Sequence, residues 1–155
     1  MKTPNPEHIK QLSRIINETP YFSLLSMKMV DIGIGFSLFE MEVDHKHYNP
    51  SGSAHGGVFA SIIDSAAFWA CHFDLDNSNS RMISVDLKLN FLAPAASGKL
   101  ISRGRRIKCG KTLGYGEAEV ADENGKLLAH GTSTLMILYD KRLFDDRILP
   151  EKFIA

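Results

Sequence analysis

The sequence predicts an α+β fold in which a curved antiparallel sheet wraps around one long central helix. Residues 55–73 form a segment that is apolar around nearly its whole circumference, and such a helix must be buried on most sides. Four strand-like segments follow it, separated by short turns. The last two place small residues on one side, where another backbone can come close. These residues are Gly114, Gly116, Ala118, Ala129, Gly131 and Ser133.

Patterns in the sequence also predict the elements that precede the central helix. Residues 7–18 place apolar side chains at helical spacing after a proline-rich entry, which predicts a short amphipathic helix. Residues 27–32 and 36–43 are expected to form two strands, joined by a glycine-containing turn. Residues 44–54 are polar and contain proline and glycine, so we expect a loop that leads into the central helix.

The segments after the helix are expected to be β. Val85, Leu87, Leu89 and Phe91 alternate with polar residues, which is typical of a half-buried strand. Three further strands are expected near residues 99–109, 112–121 and 126–138, after a polar loop at 74–80. Short turns between consecutive strands predict that they are antiparallel neighbours.

Composition limits the class of protein. A chain of 155 residues is most simply one domain, here residues 1–140 with a docked amphipathic tail at 141–155. The chain has 18 basic and 18 acidic residues, so nucleic acid is not an expected partner. The two cysteines form no recognisable pair and no apolar leader follows Met1, so we expect a cytoplasmic protein. No membrane association is expected, because residues 57–73 are polar in places and fall short of the roughly 20 residues of a span.

Two features of the central helix point to chemistry on a polarised carbonyl. Asp64 is a carboxylate on an otherwise apolar helix, and two glycines leave unpaired N–H groups bare at the helix start. Gly57 and Asp64 share a helix face but are separated by about 10 Å. One thioester carbon cannot lie against both groups, so a shared site requires a second helix from another chain, as in a two-fold dimer.

The motifs on this frame resemble the hotdog-fold acyl-CoA thioesterases, and in particular their phenylacetate-degradation (PaaI-like) branch. The matching residues are Asn49, the triplet His55-Gly56-Gly57, Asp64, and Ser84-Val85-Asp86. The resemblance covers roughly residues 10–138. It implies a sheet wrapped around a helix, homodimers whose sheets join edge to edge, and often tetramers. It also implies hydrolysis of acyl-CoA, with coenzyme A as part of the substrate and no other cofactor.

The resemblance also implies roles for single residues. Asp64 is then the nucleophile or general base, and the N–H of Gly57 polarises the thioester carbonyl. His55 supports the helix start, Asn49 lies against the reacting group, and Ser84 helps to place the water or the carboxylate. Gly56 is expected to contact substrate. A sister branch has a hydroxyl residue where this chain has Phe68, which favours the aspartate-plus-serine arrangement.

Each assignment has a structural alternative. Asp64 could cap a neighbouring loop, Asn49 could form only a turn, and Ser84 could be an ordinary strand residue. A basic cluster on one hairpin could be a solvated edge or could bind the phosphates of coenzyme A. From this cluster we expect Arg105, Arg106 and Lys111 to bind substrate.

Two further alternatives concern function. A non-catalytic acyl- or acyl-CoA-binding protein could use the same fold, whereas a hotdog dehydratase would need an Asp-x-Asn-Pro-x-His pattern that the chain lacks. Asp44, His45 and His47 lie close in sequence, but two histidines without further clustered ligands are a weak metal signal. We expect no metal.

Overall fold

The computed structural model describes residues 2–75, 79–144 and 146–154. Its long elements are those predicted, with bounds that shift by a few residues, except that the strand expected at 84–91 begins earlier, at Ser80. The elements are β1 (Thr3–Pro4), α1 (Pro6–Asn17), α2 (Pro20–Leu25), β2 (Met27–Gly33), β3 (Phe36–Glu42), α3 (Gly56–Trp69), β4 (Ser80–Phe91), β5 (Lys99–Cys109), β6 (Leu113–Ala121), β7 (Leu127–Tyr139) and β8 (Phe153–Ile154).

Six strands form one antiparallel sheet in the order β2-β3-β5-β6-β7-β4. Helix α3 packs across β3 to β7, so the predicted α+β fold, a sheet wrapped around a central helix, is confirmed. The expectation that 84–91 and 99–109 are neighbours is wrong, because β4 pairs with β7 at the edge of the sheet. The connection from β4 is not a tight hairpin. It passes the start of α3, where Ala54 N–H donates to Ala95 O at 2.7 Å, before β5 pairs with β3.

Small residues on the face of the sheet towards α3 let the helix approach closely, as their alternation along the strands predicted. A Cβ added at Gly116 would lie 2.6 Å from Ala67 O, and one at Gly104 would lie 2.0 Å from Ala66 O. Both distances are shorter than any ordinary contact, so the helix backbone rests directly on glycine. The buried Ser37 hydroxyl also donates to Ala66 O at 2.6 Å, which fixes the helix against β3.

Helix α3 is shorter than expected, since it ends at Trp69 and is followed by a short 3₁₀ turn, His72–Asp74. Its apolar side chains contribute much of the core, including Ile62 and Ile63, which are fully buried. Among the described residues, none of the helices is long and apolar enough to cross a membrane.

The chain ends lie together on one side of the domain. Strands β1 and β8 pair antiparallel, and the imidazole of His8 contacts Pro150 O at 2.7 Å. Apolar residues of the tail, among them Leu143, Phe144 and Leu149, pack against the main core. Helix α2 and the two terminal strands are the elements that sequence periodicity did not predict, because each is too short to show a period.

Candidate active site

Asp64 and Ser84 are in direct contact. The hydroxyl of Ser84 donates to Oδ1 of Asp64 at 2.7 Å. Asp64 is half-buried near the middle of α3, while Ser84 is exposed on β4. A loop-capping role for Asp64 is not what the structure contains: its recorded partner is a serine on a neighbouring strand.

A β-bulge in β4 makes this contact possible. The register shifts between Ser84 and Asp86, so Val85 is the extra residue. A regular strand would place Ser84 and Leu87 on opposite faces, as the sequence alternation implied. After the bulge both point towards α3, and Leu87 joins Asp64 in lining one cavity. The bulge therefore turns a serine that the sequence pattern assigns to the outer face towards the carboxylate.

A cavity of about 400 Å³ lies beside Asp64. Side chains of α2 cover it: Tyr21 and Phe22 line it together with Phe68 and Leu87. Ser61 donates to Gly57 O at 2.8 Å, so the hydroxyl of Tyr21, which is 2.6 Å from Ser61 Oγ, acts as the donor in that pair.

Tyr21, Phe22 and Ser61 were missed at the sequence level. The one local signal was Pro20, which fits the first position of a helix and could have indicated α2. Ser61 lies three residues before Asp64, a spacing that places two residues on the same helix face.

At the helix start, His55 is the N-cap residue. Its Nδ1 accepts the N–H of Gly57 at 2.8 Å, so the neutral ring carries its proton on Nε2. Val58 N–H donates to His55 O. Gly56 N–H, in the same first turn, has no recorded acceptor among the described residues. The amide expected to polarise the carbonyl, that of Gly57, is therefore engaged by His55, and the neighbouring Gly56 amide is open.

Asn49 makes local contacts. Its Oδ1 accepts the N–H groups of Ser51 at 2.9 Å and Ser53 at 3.2 Å, and its Nδ2 donates to Ser53 Oγ. These bonds close the loop that precedes α3. They correspond to the turn-forming alternative, and the predicted contact with the reacting group stays a prediction.

The basic residues of the β5–β6 hairpin do not meet at Asp64. Arg105 lies on the sheet face away from α3 and is salt-bridged to Glu117. Arg106 is salt-bridged to Asp74 at the C-terminal end of α3. Lys111 is exposed in the turn, and its carbonyl accepts the hydroxyl of Tyr139. A phosphate contact by these residues remains a prediction.

His47 has a structural role. It is buried, its Nδ1 accepts the N–H of Asp44 at 2.9 Å, and its Nε2 contacts Leu25 O at 2.8 Å. No group of three or more His, Cys, Asp or Glu residues that could hold a metal ion occurs within the described ranges.

The open amide and the carboxylate lie far apart within one chain. Gly56 and Asp64 are eight residues apart, which is about 12 Å along a helix axis. The strand that carries Ser84 is an edge of the sheet and exposes apolar side chains. They are Ile83 (37%), Val85 (49%), Leu87 (37%) and Phe91 (59%). An exposed apolar edge strand of this length is a template for pairing with another chain.

Comparison with known proteins identifies the class. Residues 51–129 match the model of the Thioesterase superfamily, a stretch that contains the helix start, Asp64 and Ser84. The chain belongs to the Thioesterase superfamily, and this membership places it among the thioester hydrolases.

Individual relatives agree with this membership. The chain is 26% identical over 132 residues to acyl-coenzyme A thioesterase 13 of Mus musculus, covering 83% of this chain and 93% of that protein. The human protein of the same name is 29% identical over 108 residues, covering 68% and 76%. Among solved structures, a thioesterase from Haemophilus influenzae superposes with a TM-score of 0.80 at 22% identity, covering 95% of this chain and 100% of that one. This structural likeness supports the hotdog fold.

Proposed function

We propose that the protein hydrolyses an acyl-CoA thioester to the free acid and coenzyme A, at a site built by two copies of the chain. The observation that carries the proposal is the hydrogen bond from Ser84 to Asp64 beside an open cavity. The relatives named acyl-coenzyme A thioesterase support coenzyme A as the thiol. We also propose that the protein belongs to the PaaI-like branch of these thioesterases.

Asp64 is the reactive group in this proposal. Ser84 holds Oδ1 in place, which leaves Oδ2 to act on the substrate. In one route Oδ2 attacks the thioester carbon, the carbon–sulfur bond breaks, the thiolate leaves, and water hydrolyses the resulting anhydride. In the other route Oδ2 takes a proton from water as the water oxygen attacks the carbon, and the carbon–sulfur bond then breaks as the thiolate leaves and takes up that proton. The thiolate is a good leaving group, so neither route needs a strong acid.

The open amide of Gly56 is the donor that we assign to the thioester carbonyl. It lies in the first turn of α3, where the helix dipole favours negative charge. A donor of this kind stabilises the oxyanion that forms when the carbonyl is attacked. His55 then has a supporting role, because its ring binds the Gly57 amide and fixes the helix start.

Two subunits are needed because one chain cannot bring these groups together. About 12 Å separates Gly56 from Asp64 along one helix, whereas a reacting carbonyl needs both within about 3 Å. We infer that β4 of one protomer pairs with β4 of another around a two-fold axis. This pairing covers the exposed apolar edge, and it sets the Gly56 amide of each chain against the partner's carboxylate, giving two equivalent sites.

Substitution of Asp64 tests the assignment. Asp64→Asn keeps the shape and the hydrogen bond from Ser84 but removes the base and nucleophile, so kcat is expected to fall by about 10²–10⁴-fold. The matched control is Glu119→Gln, an exposed carboxylate on the outer face of β6, away from β4. The assay measures hydrolysis of short, medium, long and aryl acyl-CoA esters, monitored by the release of free thiol.

The outcomes separate the candidate functions. We expect wild-type turnover on at least one ester, retained by Glu119→Gln and lost by Asp64→Asn with unchanged thermal stability. Turnover that survives Asp64→Asn would remove Asp64 from the chemistry. Saturable binding of acyl-CoA without turnover across the whole panel would favour a non-catalytic binding protein.

A further inference from the structure

A second cavity lies beneath the C-terminal tail. The tail itself lies outside residues 51–129, the segment that matches the superfamily. Its volume is about 230 Å³, and the tail forms its roof with Leu143, Phe144 and Leu149. Met82 of β4 and Phe68 of α3 contribute to its lining on the domain side. The lining therefore combines apolar side chains, which suit an aliphatic group, with polar and charged ones.

The same cavity carries an excess of positive charge. Among the described residues, its lining contains Arg81, Arg142, Arg147 and Lys152 and one carboxylate, that of Glu151. Arg147 lies 4.0 Å from Asp146, and the ammonium group of Lys152 donates to the carbonyls of His72 and Leu75.

Two arginines of the lining, Arg142 and Arg81, have no ion pair among the described residues, and Arg81 is the more buried of the two. It is half-buried, its Nε is completely buried without a hydrogen-bond partner, and no ion pair to it is recorded among the described residues. A buried N–H donor without an acceptor is costly. A bound carboxylate would remove that cost, because its two oxygens match the fork of the guanidinium.

The tail cavity adjoins the cavity beside Asp64. Phe68 is the residue that lines both, and it lies one helical turn after Asp64, so the two side chains are neighbours on the helix surface. Because Phe68 borders both spaces, a chain bound beside Asp64 has to pass this side chain to reach the space beneath the tail.

The tail is held in place by specific contacts. Asn5 N–H donates to Lys152 O at 2.8 Å, Asn5 Nδ2 donates to Glu151 O at 2.8 Å, and His8 contacts Pro150 O. The roof of the cavity is therefore a defined part of the fold.

We propose that this cavity binds the distal end of the acyl group, and that Arg81 selects acyl chains ending in a carboxylate. The inference rests on the proposed function and names its substrate class: the monothioesters of aliphatic dicarboxylic acids. Arg81 contacts the far end of the chain and not the reacting atoms, so it contributes to binding and its loss appears in KM more than in kcat.

The experiment compares matched pairs of thioesters that differ only at the distal end. They are adipoyl-, suberoyl- and sebacoyl-CoA against hexanoyl-, octanoyl- and decanoyl-CoA. The variant is Arg81→Met, which keeps an apolar stem and removes the charge. The control is Arg103→Met, an exposed arginine on the outer face of β5. Thermal stability of each protein is measured beside the kinetics.

We expect Arg81→Met to lower kcat/KM for at least one dicarboxylic ester by about 10-fold or more, the effect of losing a hydrogen bond to a charged group. The matching monocarboxylic ester and the Arg103→Met protein should change by less than about two-fold, within the range of a neutral surface substitution. Equal losses on both members of every pair, or no loss on any, would overturn the inference.

A binding measurement keeps this test separate from the proposed function. Calorimetric titration of the intact protein with adipate, suberate or sebacate needs no turnover, and hexanoate, octanoate and decanoate are the matched ligands. Binding of a dicarboxylate that Arg81→Met abolishes would support the anion site even if no thioester were cleaved. Equal binding by wild type and Arg81→Met, or no binding of any dicarboxylate, would contradict it.

Discussion

Replacing Ser84 with alanine is expected to slow hydrolysis without unfolding the protein. The change removes one hydrogen bond, the 2.7 Å contact to Oδ1 of Asp64. Ser84 is exposed on an edge strand, where water can replace the lost hydrogen bond, so the free energy of unfolding should fall by only about 1 kcal/mol. The cost should fall on the orientation of the carboxylate.

The size of the effect follows from the type of bond. A hydrogen bond to a charged group contributes about 1.5–3 kcal/mol, which corresponds to a loss of about 10–150-fold in kcat if the bond is needed at its full strength in the transition state. Ser84→Thr retains the hydroxyl and should recover part of the rate. The assay is steady-state hydrolysis of the best acyl-CoA ester of the panel, with the unfolding midpoint in urea measured in parallel.

A double-mutant cycle decides whether Ser84 acts through Asp64. If it does, adding Ser84→Ala to Asp64→Asn should cost little further activity, because the group that Ser84 positions is already lost. Full additivity of the two losses, or wild-type activity of Ser84→Ala, would refute the positioning role.

Two further predictions concern packing and pH. Gly116→Ala should lower the free energy of unfolding by about 1–3 kcal/mol, since its Cβ would lie 2.6 Å from Ala67 O. Gly114→Ala is the control on the same strand, because a Cβ there would lie no closer than 3.6 Å to another atom. If urea unfolding showed the same loss of stability for both variants, the close contact at Gly116 would not be its cause. Burial lowers the pKa of His8 and of His72 from the usual 6.5. The unfolded chain therefore binds more protons, so stability is full above about pH 6.5 and declines as the pH falls below it. Replacing both histidines with glutamine should flatten that decline in melting curves, and an unchanged profile would contradict it.

The hydrophobic periodicity of the longer segments was sufficient to predict the main elements and a sheet wrapped around a helix. The apolar helix, the strands and the small residues that face α3 all have enough residues to show a pattern, and hydrophobic burial enforces such patterns. The placement of β4 was not predictable from loop length alone. Its connection to β5 contains Pro94 and Gly98, as a hairpin would, yet it crosses the helix start and leaves β4 at the opposite side of the sheet.

The site was predictable in composition but not in detail. Asp64 and Ser84 were both expected, and the structure brings them together. The bulge at Val85 has no sequence signal of its own, because it depends on pairing with β7. That the His55 ring accepts the Gly57 amide was also not predictable, because this contact is set by the φ and ψ angles of the cap.

Subunit complementation tests the shared site most directly. Gly56→Pro removes the open amide at the first helical position, where proline is tolerated and where the extended His55 (φ −63°, ψ 145°) already suits a following proline. Gly56→Pro and Asp64→Asn should each be inactive alone. Mixed after dissociation, they form heterodimers in which one site has both an intact amide and an intact carboxylate.

We expect recovery of about one quarter of wild-type activity after random exchange of subunits. Half of the dimers are then mixed, and each mixed dimer has one working site of two. The control is the same mixture without dissociation, which should stay inactive. Mixed dimers that form, as shown by mass spectrometry of the intact assembly, and yet remain inactive would contradict a site shared between subunits.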